Sequence, residues 1–376
     1  METFDDVVIG AGILGLAHAY HLATAGRRVV VLERSSYAQG ASVRNFGMVW
    51  PLGQPRGERL DTALRSRGHW IATHQAAGLW FDPCGSIHAA YHDDELQLLR
   101  EFVEGAVGAG YEVRLLDAHE ARDLSPRLRA EGLRGAMFSA TEVCVDPRRS
   151  VAGVAAWLES CCGVQFRFGT TVTAATTGRV TTPAGDLACD RVWVCTGDDL
   201  NGIAARALEG SGLVRCKLQM MRTSALPHCE RVGPMLPAGL TLRHYTSFGA
   251  CPSLPALAAA LDARNPGYAA RGIHVMVSQH ESGMLTIGDS HEYGEGIGPF
   301  DSTETDAMIL RYLDGWFDRA GTQVVERWHG VYAKHPTDGW VVVDADERVC
   351  VVTGVGGAGM TLSFGLAETT TADARS

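Results

Sequence analysis

"DDVVIGAGILGLAHAYHLATAGRRVVVLER", residues 5–34, is the stretch on which the fold turns. An apolar run bounded by acids leads into Gly10, Gly12 and Gly15. An Ala/Leu-rich helical segment follows, and a second apolar run, Val29 to Leu32, ends at Glu33 and Arg34. This is the pattern of a strand, a tight glycine turn, a helix and a parallel strand. Gly10 permits the turn, Gly12 lets the backbone approach a pyrophosphate, and Gly15 lets the helix lie close on the strand. The helix N-terminus offers amides and a positive dipole to phosphate. Glu33, about 20 residues on, is placed to accept hydrogen bonds from ribose hydroxyls, with Arg34 beside it. A dinucleotide is the expected ligand, and this stretch alone does not separate FAD from NAD.

The other end of the chain bears on that choice. "RVCVVTGVGGAGMTLSFGLAE" again reads as a strand, Val349 to Thr353, then a turn carrying Gly356, Gly357 and Gly359, then a helix beginning at Met360 and Thr361. A second helix N-terminus pointing into the same site suits a flavin, whose pyrimidine edge gains negative charge on reduction, better than a nicotinamide. Between the two lies "DRVWVCTGDDL", a strand from Arg191 to Cys195 followed by Thr196 and Gly197, which fits a further strand ending at the dinucleotide.

The chain has 376 residues, 46% of them hydrophobic, enough for a large core, and a formal net charge of −10. That charge argues against nucleic acid or an anionic bilayer as partner. Ten cysteines show no CxxC pair or disulfide ladder, so reduced thiols are expected. The acidic opening METFDD offers no basic and apolar signal segment, and no apolar run reaches membrane-spanning length; the expected location is the cytoplasm.

Taken together, these segments and their order resemble the FAD-dependent family of D-amino acid oxidase, glycine oxidase and sarcosine oxidase. The likeness is carried by the two glycine-rich ends, by "GASVRNFGMV" at 40–49, "VDPRRSVAGVAAWLE" at 145–159, "CKLQMM" at 216–221 and "LTIGDS" at 285–290. It implies an α/β fold in which a Rossmann-type FAD-binding domain, 1–78, 142–212 and 322–376, interleaves with an antiparallel-sheet substrate domain, 79–141 and 213–321. The runs "GIHVMVSQH" and "GMLTIGDS" suit that sheet, and "LPALAAALDARNPG" at 254–267 reads as a helix. By the same resemblance, Ser42 and Asn45 meet the cofactor pyrophosphate and Gly47 and Met48 border the isoalloxazine. The backbone of Val172 meets the adenine, and Met360 and Thr361 lie beside the pyrimidine edge. No cysteine or histidine is singled out for flavinylation, so the FAD is expected to be noncovalent.

One departure from the family bears on substrate. Its amino-acid oxidases carry a segment like W-x-G-x-R-P-x-T-P-D-G, whose arginine pairs with the substrate carboxylate. Here "RWHGVYAKHPTDG", 327–339, keeps Trp328, Gly330, Pro336, Asp338 and Gly339 but has Tyr332 in the arginine's place, followed by Lys334 and His335. A guanidinium matches a planar carboxylate, whereas a lysine suits a tetrahedral oxyanion. Arg44, Arg56, His244, Tyr245, His291, Glu292 and Tyr293 fall in segments expected to face the ring. "GDSHEYG" and "YAKHP" look similar to a branch of the family associated with phosphonate use.

The expected function is therefore flavin-dependent oxidation of a small, anionic amine, an aminoalkylphosphonate such as 2-aminoethylphosphonate or its N-methyl form. The resulting imine hydrolyses to aldehyde plus amine or ammonia, and oxygen or an electron carrier accepts the electrons. The rivals are a glycine oxidase or D-amino acid oxidase or dehydrogenase with a relocated carboxylate anchor, a flavoprotein with no turnover, and an NAD-linked reductase. No zinc-ligand spacing, HExxH or GxSxG suggests other chemistry.

Overall fold

The computed structural model describes residues 1–106, 109–294 and 296–375. The opening stretch folds as strand β1 (Glu2–Ile9), helix α1 (Ile13–Thr24) and strand β2 (Val29–Glu33). β1 and β2 pair in parallel, and β1 pairs on its other side, also in parallel, with Gly185–Val194. Gln165–Phe168 flanks β2 and Val349–Thr353 flanks Gly185–Val194, giving a core of five parallel strands. Val7, Val8, Val30 and Val31 are all fully buried because both faces of the sheet are covered. On one face, Leu16, Ala19 and Leu22 of α1 meet Val151, Val154 and Leu158 of helix Pro147–Cys162 around Trp193. On the other, Phe4, Val7, Ile9 and Val192 meet Val180, Leu187, Ala204 and Leu208. Asp6, an acid inside β1, is tolerated because Trp193 Nε1 donates to it at 2.9 Å and Arg27 pairs with it.

A second, antiparallel sheet is built on Val214–Ala225. Met284–Gly288, Glu292–Tyr293 and Val324–Lys334 pair with it directly, and Met276–Gln279 pairs with Met284–Gly288. The expected helix spans Leu254–Arg264. Most of Val214–Ala225 is buried on both faces: Leu218 and Met220 turn to the cavity described below, and Met221 turns to a core holding Leu257, Leu261, Ile309, Leu313 and Phe317. The chain from 322 onward, expected in the nucleotide-binding part, gives its first strand to this second sheet, where Tyr332 lies opposite Cys216. Only from Val341 does it return to the first sheet. The backbone hydrogen bonds made by Val324–Lys334 decide that membership, and their partners lie about a hundred residues away in sequence, at Val214–Ala225. No helix among the described residues is long and apolar enough to cross a membrane.

Candidate active site

The carboxyl ends of the parallel strands open into a cavity of about 880 Å³ that extends to the face of the second sheet. Its size lies near the top of the roughly 300–1,000 Å³ usual for small-molecule sites, and its position is where open α/β sheets bind ligands. At the nucleotide end, Gly10 and Gly12 line it with Ser42, Asn45, Val172, Thr196 and Gly197. Gly10 takes φ +106°, and a Cβ there would stand 2.4 Å from the Cys195 carbonyl oxygen. Gly15 is off the wall: its Cβ would lie 1.9 Å from the Gly10 carbonyl, so it is the place where helix meets strand.

Glu33 is pinned by two backbone amides, Ala11 N at 2.9 Å on Oε2 and Ser35 N at 2.9 Å on Oε1, and its carboxylate lines the cavity. Arg34 lines the cavity too, but its guanidinium is paired with Asp199 at 3.0 Å. Ser42 Oγ accepts from Ile13 N at 2.9 Å, leaving its own hydroxyl hydrogen to donate. Asn45 holds its loop together, donating to the carbonyls of Ala41 and Ser42 and accepting from Gly47 N at 2.7 Å.

Neither α1 nor the C-terminal helix Gly359–Thr370 carries an acid in its first turn or a side-chain cap. Gly12, Ile13, Gly359, Met360 and Thr361 all line the cavity, so two positive helix ends face it. Gly356 and Gly357 complete that wall, Gly356 with φ +59°. Thr361 Oγ1 accepts from Trp50 N at 2.9 Å, and Met360 O from Trp70 Nε1 at 2.6 Å. Met48 lines the cavity, but Gly47 does not border it as the resemblance implied. Gly47 takes φ +72°, and the space a Cβ would occupy is filled by the Val145 carbonyl oxygen at 1.9 Å, so it serves the pairing of Met48–Val49 with Val143–Val145. Trp50, which the sequence reading missed, lines the cavity with a buried Nε1–H that has no hydrogen-bond partner. An unpartnered buried donor, two helix N-termini and a glycine approach together fit an extended, polar-edged, anionic cofactor.

At the far end, Tyr332, Lys334 and His335 come down one strand and its turn into the cavity. Burial holds the Tyr332 hydroxyl well above its ordinary range, so it remains a neutral donor. Lys334 Nζ donates to Tyr293 Oη at 3.2 Å and lies 5.2 Å from that ring's centre. His335 is partly spent in its own turn, its Nδ1 accepting from Asp338 N at 2.9 Å. Arg44 lines the cavity and donates to the His329 carbonyl at 3.3 Å, whereas Arg56 bonds the Gly105 carbonyl and is off the wall.

His244, Tyr245 and His291 are brought together with two residues sequence reasoning did not single out, His274 and Asp289. Ring centres lie 3.8 Å apart for His244 and His274, and 4.7 Å apart for His244 and His291. Tyr245 stacks on Trp50 at 6.2 Å and donates to Met276 Sδ. Burial pushes all three imidazoles down, His291 to about 4, and pushes the Asp289 carboxyl well above the carboxylate range.

The family model described as FAD dependent oxidoreductase (DAO) matches residues 5–373. The chain belongs to that family, and its cofactor is FAD. Among curated relatives, the glycine oxidase of Geobacillus kaustophilus is 28% identical over 143 residues, 36% of this chain and 38% of that protein. The mitochondrial sarcosine dehydrogenase of Mus musculus is 26% identical over 51% of this chain and 23% of its own length. The chain thus spans well under half the length of these two relatives in the matched region. The 4-methylaminobutanoate oxidase (formaldehyde-forming) of Paenarthrobacter nicotinovorans is 28% identical over 54% of this chain and 25% of that protein. Among solved structures, glycine oxidase from Geobacillus kaustophilus superposes with a TM-score of 0.79 at 20% identity, covering 100% of this chain and 95% of that one. L-proline dehydrogenase from P. horikoshii gives 0.80 at 20% identity, covering 99% and 94%. These likenesses establish the D-amino acid oxidase-like fold.

Proposed function

We propose that this protein oxidises the C–N bond of a small anionic amine, an aminoalkylphosphonate such as 2-aminoethylphosphonate or its N-methyl form. The observation that carries the reading is Tyr332, a buried phenol on the cavity wall where the family's amino-acid oxidases have their carboxylate-binding arginine, with Lys334 two residues on. Glycine oxidase, sarcosine dehydrogenase and 4-methylaminobutanoate oxidase among the relatives support amine oxidation as the reaction class.

Bound FAD supplies the two-electron acceptor for the substrate's C–H bond. Gly10, Gly12, Glu33, Ser42, Asn45, Thr196 and Gly197 would hold its nucleotide end. Met48, Trp50, Gly356, Gly357, Met360 and Thr361 would hold its ring end. Met48, Leu218 and Met220 keep the ring end apolar and exclude water. The positive charge of Lys334, the Tyr332 hydroxyl and Arg44 would receive the substrate anion, since a tetrahedral oxyanion takes several separate donors, with His244 and His291 on the same wall. Fixing the anion at that wall leaves the amine end to be aligned, and alignment supplies much of the rate in such a reaction. The imine then leaves to water.

Comparing kcat/KM for 2-aminoethylphosphonate, its N-methyl form, glycine, sarcosine and D-alanine tests this. Preference for a phosphonate is expected. Preference for glycine or D-alanine instead supports a glycine oxidase or D-amino acid oxidase with its carboxylate anchor moved from position 332 to another residue.

A further inference from the structure

We propose that His244, His274 and His291 hold a divalent transition-metal ion on the cavity wall, with one coordination position open to the cavity. The three rings come from separate segments, and one ligand nitrogen from each lies within 4.8 Å of the others. All three side chains line the cavity. His274 is 3% exposed, and neither of its ring nitrogens has a hydrogen-bond partner. Leaving a buried polar group unsatisfied costs about 1–3 kcal/mol. A metal ion satisfies one of those nitrogens directly.

The surroundings have the form that orients ligating imidazoles. Asp289 Oδ1 stands 3.1 Å from His274 Nε2 and has no hydrogen bond of its own. His291 Nδ1 faces the Gly272 carbonyl at 3.0 Å, which leaves Nε2 as its free lone pair. A carboxylate or carbonyl behind the ring is the usual partner of a metal-bound histidine. The backbone is built to hold this arrangement. His274 and Asp289 exchange both main-chain hydrogen bonds, at 2.8 and 3.2 Å, and His291 N bonds Arg271 O at 2.9 Å. Gly272, with φ +56°, lets His291 lie where a Cβ would stand 2.7 Å from the His291 Cβ. Bonds of about 2.0–2.1 Å in a tetrahedral site would draw the nitrogens to ~3.3 Å apart, a closure that asks the imidazoles to rotate towards the ion. Three imidazoles select zinc, iron(II), cobalt or nickel over magnesium or calcium, and three protein ligands with an open fourth position is the arrangement of a site that receives a ligand.

The site stands whatever amine the enzyme oxidises, and its test contains no amine. Untagged holoprotein, treated with chelator and dialysed, is titrated calorimetrically with Zn²⁺, Co²⁺ and Fe²⁺. Bound metal is counted by mass spectrometry, and the zinc form is examined by X-ray absorption. The expected result is saturable binding of a single ion per chain with imidazole scattering. His244→Gln, His274→Gln and Asp289→Asn should each weaken it by about tenfold or more. Retained flavin absorbance certifies that each variant is folded, and His244→Gln, at a partly exposed position, serves if the buried variants lose their flavin. Absence of saturable binding of all three ions, or binding unchanged in His244→Gln, overturns the proposal.

Discussion

At position 332 a phenol stands where the amino-acid oxidases of the family place a guanidinium, and the nearest full positive charge on the same face of the strand is Lys334. Side chains two apart on a strand share a face, so both reach the cavity from Val324–Lys334. Lys334→Met should therefore raise KM for an aminophosphonate by about 10- to 100-fold, the value of one charge-assisted hydrogen bond, and leave KM for an uncharged amine nearly unchanged. Equal effects on both substrates contradict the assignment of Lys334 to the anion. Position 332 was legible as a departure because Trp328, Gly330 and Pro336 preserve the frame around it. His274 and Asp289 were not legible. A single histidine in "GIHVMV" carries no mark of which face it takes, and only the backbone pairing of His274 with Asp289 joins it to His291 and His244. Trp50 escaped for a similar reason: its free indole N–H is a property of its surroundings, with nothing in the tryptophan itself to signal it.

The glycines of the first turn separate cofactor binding from folding. Gly12 has ordinary helix-start geometry, and a Cβ there would meet only the movable Ser42 Oγ at 3.1 Å. Gly12→Ala should leave the melting temperature of the apoprotein nearly unchanged while weakening FAD at least tenfold by crowding the pyrophosphate approach. At Gly15 a Cβ would lie 1.9 Å from the Gly10 carbonyl, backbone that cannot yield. Gly15→Ala should destabilise the apoprotein itself by about 1–3 kcal/mol or more, the cost of overpacking. Apoprotein melting and a fluorescence titration with FAD on both variants check the contrast, and equal loss of stability in the two would refute it. The strand-helix-strand order at the N-terminus was legible, and its second strand to within a residue, since its glycines, its acid and its apolar runs are all local. The sheet membership of Val324–Lys334 was not, because its hydrogen bonds are made to Val214–Ala225.

Across the whole molecule, buried histidines weaken the fold in acid, three of them away from the cavity. Burial lowers His18 and His74 to about 4 and His88 to about 3; His88 has no hydrogen bond on either nitrogen. Each is neutral in the folded protein and titrates near 6.5 when unfolded, so as pH falls from about 6.5 towards 4 the unfolded chain takes up protons that the folded one refuses. Stability falls by up to about 1.4 kcal/mol per pH unit for each such group. Glu95 acts in the opposite sense. Burial raises it to about 7, so between about 4.5 and 7 the folded state keeps a proton the unfolded state gives up, and stability falls as pH rises there. Burial also raises Asp6, Asp289 and Asp306, but it lowers His244, His274, His280 and His291 as well. The histidines therefore outweigh the carboxyls, and the melting temperature should drop from pH 7 to pH 4.5; a flat or rising profile contradicts the burial argument.

The fold brings both ends of the chain to one cavity and sets Tyr332 and Lys334 on its wall. The most direct measurement is anaerobic mixing of the holoprotein with 2-aminoethylphosphonate, its N-methyl form, glycine, sarcosine and D-alanine while flavin absorbance is followed. Saturable loss of the oxidised flavin bands with an aminophosphonate, much faster than with glycine or D-alanine, is the expected result. Bleaching by glycine or D-alanine at the same or a greater rate, or no bleaching by any of these amines, contradicts it.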